Sequence, residues 1–271
     1  MQTFDQLLKA ISPAGDDGEY RVYDCEFGED WLQGRTAFGG LSAGLIAHAM
    51  SMTVESDRRL RSVAVSFVGP APAGQHKIRL RTLREGGSVT HLAGELVCNG
   101  EVATSLLATF GKGRPSDISE ALPAMPEDIC AVENAQLMPY LEGLTPKFTQ
   151  HYQMAFAHGA LPQTGADNCD FGVWMRFKEP TNMSMAALVA LGDIPPMPGI
   201  NRTSPPAVGS SLTWYLEFPN DQIDQSADDW WYMDYRCQSA SDSYFHNHGT
   251  IWDSKGRAVL YSRQIAMVFQ K

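Results

Sequence analysis

Apolar and polar positions along this 271-residue chain follow two rhythms, one helical and one alternating, and the two come in the same order twice. Near the N-terminus Phe4, Leu7, Leu8 and Ile11 recur at helical spacing, and Thr3 and Gln6 are placed like a capping box, which predicts a short amphipathic helix. The stretch Tyr20 to Phe27 and a loop to Trp31 lead into a second helix, opened by Gly39 and Gly40, with Leu41, Leu45, His48 and Met52 on one face. Three extended stretches follow: LRSVAVSFVGP with alternating Val63, Val65 and Phe67, then HKIRLRTLRE, then VTHLAGELVCNGEVATSLLATF with a turn at Asn99-Gly100. One helix followed by an antiparallel meander is the expected unit.

The second half runs through the same sequence of elements. VWMRFKEP reads as a strand, Met183 to Leu191 as a helix ahead of IPPMPG, and GSSLTWYLEFP, WWYMDYRCQSAS and HNHGTIWDSKGRAVLYSRQIAMVF as a meander. SVAVSFVGP matches SLTWYLEFP in length, ending on Pro70 and Pro219, and the two final hairpins match around Gly100 and Gly256. The expected fold class is α+β, two divergent copies of a unit in which a central helix is wrapped by an antiparallel sheet. The expected domains are residues 1–113, a proline-rich linker 114–146, and residues 147–271, each copy large enough for its own core.

Composition narrows the chemistry. A formal net charge of −10, with no dominant Lys/Arg block, argues against nucleic acid as a partner. Five cysteines stand singly, without a CxxC pair, as expected of reduced thiols in a cytoplasm. The most apolar segment, Leu41 to Met52, is interrupted by Ser42 and His48 and falls short of the roughly 20 residues a spanning helix needs, so a soluble protein is expected. His246 and His248 share a strand face, but without a third ligand nearby they do not make a metal site, and no GxSxG elbow points to a serine nucleophile. Lys77, Arg79 and Arg81 alternate along one strand and read as a solvated face before they read as a phosphate site.

GRTAFGG ahead of the first helix, VSFVGPAPAG, VWMRFKEP, LGDIPPMPG, SLTWYLEFP and GRAVLYSRQIAMV, in that order over nearly the whole chain, resemble the double hot dog acyl-CoA thioesterases of the bacterial thioesterase II type. The resemblance implies hydrolysis of an acyl-CoA thioester to free acid and coenzyme A, with no metal or other cofactor. In that family a helix N-terminus polarises the thioester carbonyl, and an Asp, a Thr or Ser, and a Gln of the second repeat hold the attacking water. Carried over by position, the aspartate falls on Ser211, the hydroxyl on Gln238 or the adjacent Ser239, and the glutamine on Gln264. Gly39 and Gly40 become the carbonyl-binding helix start, and His48 lies on the apolar face of that helix, either in the acyl tunnel or as a hydrogen-bonded core histidine.

The serine at position 211 leaves two readings open: an enzyme, and an acyl-CoA or acyl-chain binding protein that kept the pocket without the base. Glu217 lies too far along the same strand to substitute, roughly 20 Å at about 3.3 Å per residue. Asp193, at the end of the second helix, would need unusual geometry to help. A monomer and a homodimer of double units are both compatible with the repeat.

Overall fold

The computed structural model describes residues 1–220 and 223–270. Helix α1 (Phe4–Ala10) forms with the expected capping box, the Thr3 hydroxyl accepting from the Gln6 amide and the Gln6 side chain accepting from the Thr3 amide. Its apolar positions Phe4, Leu7, Leu8 and Ile11 are all buried. Strands β1 (Ser12–Asp17) and β2 (Tyr20–Phe27) and the short hairpin β3 (Leu32–Gln33) and β4 (Thr36–Ala37) precede helix α2 (Gly39–Ser51). Then come β5 (Arg59–Phe67), β6 (Gly74–Glu85), β7 (Val89–Cys98) and β8 (Glu101–Gly111). The second half holds β9 (Gln136–Met138), β10 (Tyr152–His158), β11 (Phe171–Phe177), helix α3 (Met185–Leu191), β12 (Ala207–Glu217), β13 (Trp231–Ser241), β14 (Tyr244–Trp252) and β15 (Ala258–Gln270).

Among the described residues thirteen strands form one sheet in the order β1-β2-β6-β7-β8-β5-β12-β15-β14-β13-β11-β10-β9. The run β2-β6-β7-β8-β5 and the run β11-β13-β14-β15-β12 have the same order relative to their helices, and they meet where β5 pairs antiparallel with β12. Register makes the correspondence residue by residue. Cα partners form one row across the joined sheet, Leu80, Gly94, Leu106, Val65, Trp214, Gln264, Asn247 and Cys237, whose strands follow equivalent orders on either side of the Val65–Trp214 pair. Gln264 and Asn247 therefore stand where the first half has Leu106 and Gly94.

Helix α2 is more deeply enclosed than one apolar face requires. Every residue from Gly40 to Met50 except His48 is buried, which suits a helix that is apolar almost all round. Met52, expected on that apolar face, caps the helix and is 46 % exposed. The Asn99-Gly100 turn forms as expected, with φ of 52° and 84°, the left-handed pair a tight hairpin demands. The alternating cations of β6 are matched by carboxylates, Lys77 with Asp24 at 2.6 Å, Arg79 with Glu95 at 2.7 Å and Arg81 with Glu19 at 3.1 Å.

The segment between the halves is not simply a crossing. It supplies β9, which pairs with β10, and it is fastened to the second half by two indoles: Trp174 donates to the Cys130 carbonyl at 2.8 Å and Trp252 to the Pro123 carbonyl at 2.9 Å. No helix of the described residues is long and apolar enough to cross a membrane.

Candidate active site

The two helices pack side by side and antiparallel, and glycine permits it. A Cβ on Gly40 would stand 2.8 Å from the Ala190 carbonyl of α3 and 2.5 Å from the Phe38 ring, and one on Gly44 would stand 3.1 Å from the Ala186 carbonyl. A Cβ on Gly39 would come within 2.7 Å of the Asp193 carboxylate. The FGG sequence is thus dictated by what lies against it: the C-terminal end of α3 and the aspartate that follows it.

Asp193 is the centre of the arrangement. Its Oδ2 accepts from the Gly40 amide at 2.7 Å, at the positive end of α2, and its Oδ1 accepts from Nε2 of Gln264 at 3.2 Å. Gln264, 4 % exposed, is fixed from its other side because Tyr235 donates its hydroxyl to Oε1 at 2.8 Å. Burial raises the Asp193 carboxyl from 3.8 to about 7, against the lowering effect of the Gly40 amide and the Gln264 side chain. A carboxylate in that range is poised to take a proton near neutral pH. Burial holds the Tyr235 phenol well above its usual value, so it stays a donor.

Asp193, Ser211 and Gln264 face a cavity of about 400 Å³ whose wall is otherwise mostly apolar, including Leu141, Leu144, Phe148, Met154, Ile194 and Met197. A second cavity of about 370 Å³ is more polar, with Thr36, Ser42, Thr104 and Ser210 among its lining. Gln33 and Ser211 border both, and Gly39 borders the second. Ser211 is placed there by a β-bulge in β12 between Ser211 and Thr213.

The structure thus brings Gly39, Gly40, Ser211 and Gln264 together, and adds Asp193. It does not bring Gln238 or His48 to them. A bulge between Cys237 and Ser239 leaves Gln238 out of the ladder, exposed, with its Oε1 accepting from Arg263. His48 lies two turns along α2, roughly 12 Å beyond Gly40 at 1.5 Å per residue, half-buried, with burial lowering its pKa. The expectation that Asp193 needs unusual geometry is corrected: the end of α3, not its start, abuts the start of α2, and Asp193 follows the helix-ending Gly192 directly into that junction. Its sequence signal was an acidic residue between a helix C-terminus and Pro195-Pro196, which becomes informative only once α3 is known to pack on α2.

Residues 27–111 match the description of an acyl-CoA thioesterase N-terminal domain, and residues 126–268 that of an acyl-CoA thioesterase C-terminal domain. No curated protein matches the chain. Among solved structures, a conserved protein of unknown function with a hot dog fold from Alicyclobacillus acidocaldarius superposes with a TM-score of 0.86 at 21% identity, over 100% of this chain and 99% of that one. An acyl-CoA thioesterase II from Mycobacterium marinum superposes with a TM-score of 0.74 at 19% identity, over 99% of both chains. A proposed thioesterase II from Thermobifida fusca gives 0.80 at 18%, over 100% of this chain and 98% of the other. These likenesses establish a hot dog fold built on a large antiparallel sheet. Because the C-terminal domain match alone spans more than half of the 271 residues, and the N-terminal match precedes it in order, the chain belongs to the acyl-CoA thioesterase family.

Proposed function

We propose that this chain is a tandem, double hot dog enzyme, with repeats at 1–113 and 147–271, that hydrolyses an acyl-CoA thioester to free acid and coenzyme A. The observation that carries the reading is the half-buried Asp193, held between the start of α2 and Gln264 and opening onto an apolar cavity. Asp193 takes a proton from water as the water oxygen bonds to the thioester carbonyl carbon. The tetrahedral intermediate then breaks its C–S bond, and the departing thiolate recovers the proton from Asp193. Gln264 keeps a second Nε2–H for the water, since only one is spent on the carboxylate. Ser211, at the shared border of the two cavities, orients the substrate there and not the base. Acyl chains fit the apolar cavity, and five free thiols suit a reducing cytoplasm.

The test is thiol release from a panel of acyl-CoAs by the purified protein and by Asp193→Asn. Hydrolysis that rises with pH through about 7, and a loss on the order of 10²- to 10⁴-fold in the variant, are expected. A second reading, acyl-CoA binding without turnover, draws on the fact that both oxygens of Asp193 already accept hydrogen bonds. Tight binding of acyl-CoA by a protein that releases no thiol would select it.

A further inference from the structure

An acyl-CoA is apolar on one side of its thioester and carries amides on the other, which suits a molecule lying across the apolar and the polar cavity. Such a molecule passes the residues that border both, Gln33 and Ser211. Asp193 stands at the same junction: it lines the apolar cavity, and its Oδ2 is 2.7 Å from where a Cβ on Gly39 would sit, at the edge of the polar one. The Gly40 amide, a natural donor for a developing oxyanion, is already committed to Asp193, so the carbonyl oxygen needs a further donor. Gln33 has one to give. Its side chain is half-buried and makes no hydrogen bond among the described residues. Its backbone is held in place, because Gln33 pairs with Thr36 across the β3–β4 hairpin, whose turn takes Gly34 at a φ of 68°. The Thr36 hydroxyl accepts from the Ala71 amide at 2.9 Å, the Ala37 amide donates to the Ala71 carbonyl at 2.7 Å, and Leu32 and Ala37 are buried. A free carboxamide is thus presented to the junction from a fixed hairpin, an arrangement that needs little reorganisation when charge develops.

Resting on the thioesterase reading above, we infer that Gln33 is a catalytic residue whose Nε2–H donates a hydrogen bond, where the two cavities meet, to the thioester carbonyl oxygen and to the oxyanion it becomes. A carboxamide offers two N–H donors and does not ionise, so it stabilises the negative oxygen without competing with Asp193 for the proton of water. The bond strengthens as the acceptor gains charge, so its contribution falls on the chemical step and little of it on substrate binding. The labour then divides between the repeats. The β3–β4 hairpin of the first holds the carbonyl oxygen, while Asp193 and Gln264 of the second hold the base and the water. Gln33 transfers nothing, and the bonds made and broken are those of the hydrolysis already described.

The experiment compares wild type, Gln33→Met, Gln33→Glu and Asp193→Asn with octanoyl-CoA and palmitoyl-CoA, measuring kcat, KM and the pH–rate profile by released thiol, and unfolding by denaturant. Methionine keeps the length of the side chain without a donor, and an ionised glutamate keeps the shape but only accepts. Because the Gln33 side chain has no hydrogen bond to lose, both variants should unfold at the same denaturant concentration as wild type. In both, kcat should fall on the order of 10²-fold with little change in KM, and in Gln33→Met the acid limb of the profile should stay where wild type has it. Unchanged kcat in either Gln33 variant, with wild type active and Asp193→Asn slowed, overturns the role of Gln33 and leaves the thioesterase reading standing. A loss confined to KM does the same, since it places Gln33 against the substrate away from its carbonyl, and so does a loss of activity that accompanies a loss of stability. A shifted acid limb in Gln33→Met shows that Gln33 acts through the base, which also overturns the inference. A wild type that releases no thiol from either ester overturns both readings.

Discussion

Replacing Asp193 by asparagine should slow hydrolysis on the order of 10²- to 10⁴-fold and, at alkaline pH, make the protein more stable. The folded state holds this carboxyl at about 7 whereas an unfolded aspartate titrates near 3.8, so folding raises the pKa and the native state binds the proton more tightly. The stabilisation that comes with the bound proton is complete below about 3.8 and is lost as pH rises through 7. At 1.36 kcal/mol per pH unit, the gap from 3.8 to about 7 sets a ceiling of about 4 kcal/mol on what the ionised carboxylate costs the native state at pH 8. Asparagine occupies the same space without the charge. Its Oδ1 can accept from the Gly40 amide, and its Nδ2 can donate to Gln264 once that amide turns over, with the Tyr235 hydroxyl then accepting from Gln264. Urea unfolding of both proteins from pH 5 to pH 8.5 reads the effect. The variant should be the more stable above about pH 7, and its advantage should shrink steadily toward pH 5. A variant less stable than wild type at pH 8, or an advantage independent of pH, would refute the claim that this carboxylate is held against its own solvation.

Three further outcomes follow from the same geometry. Gly40→Ala places a methyl against the Ala190 carbonyl and the Phe38 ring, and should cost about 2 kcal/mol or more in thermal or chemical unfolding together with most of the activity. Tyr235→Phe frees the Gln264 amide to turn its oxygen toward Asp193. The acid limb of the pH–rate profile should then move to higher pH, and stability should drop by about 1–2 kcal/mol. Gln238→Ala removes an exposed side chain bonded to Arg263 and should leave kcat/KM within about twofold of wild type, whereas a large loss would place Gln238 at the site after all.

Most of the scaffold could be read from local signals. Thr3 and Gln6 announced α1, the FGG motif announced α2, and Asn99-Gly100 announced the β7–β8 hairpin, because capping, helix starts and tight turns are decided by residues close in sequence. Gln264 was also legible, as a polar residue in an apolar strand; the equivalent position in the first half holds Leu106, so the fold itself does not ask for an amide there. Asp193 was not legible as a site residue. Its role depends on a contact 153 residues away in sequence, with Gly40, and no period or propensity within either half encodes that approach. Gln238 misled for the opposite reason: a one-residue bulge reverses which face a strand residue presents, and bulges leave little trace in composition.

The segment joining the halves gives the cavity much of its apolar wall, through Met138, Leu141 and Leu144, while the acid and the amides sit at the helix ends and on the sheet. Leu144 is 73 % exposed and Leu141 46 %, so these leucines belong to no core whose packing would resist change. On the proposed thioesterase reading, selection can therefore retune which acyl groups are accepted by altering a connector, at little cost to folding and none to the proton chemistry. Divergence of substrate preference within such a lineage should accumulate between the repeats first.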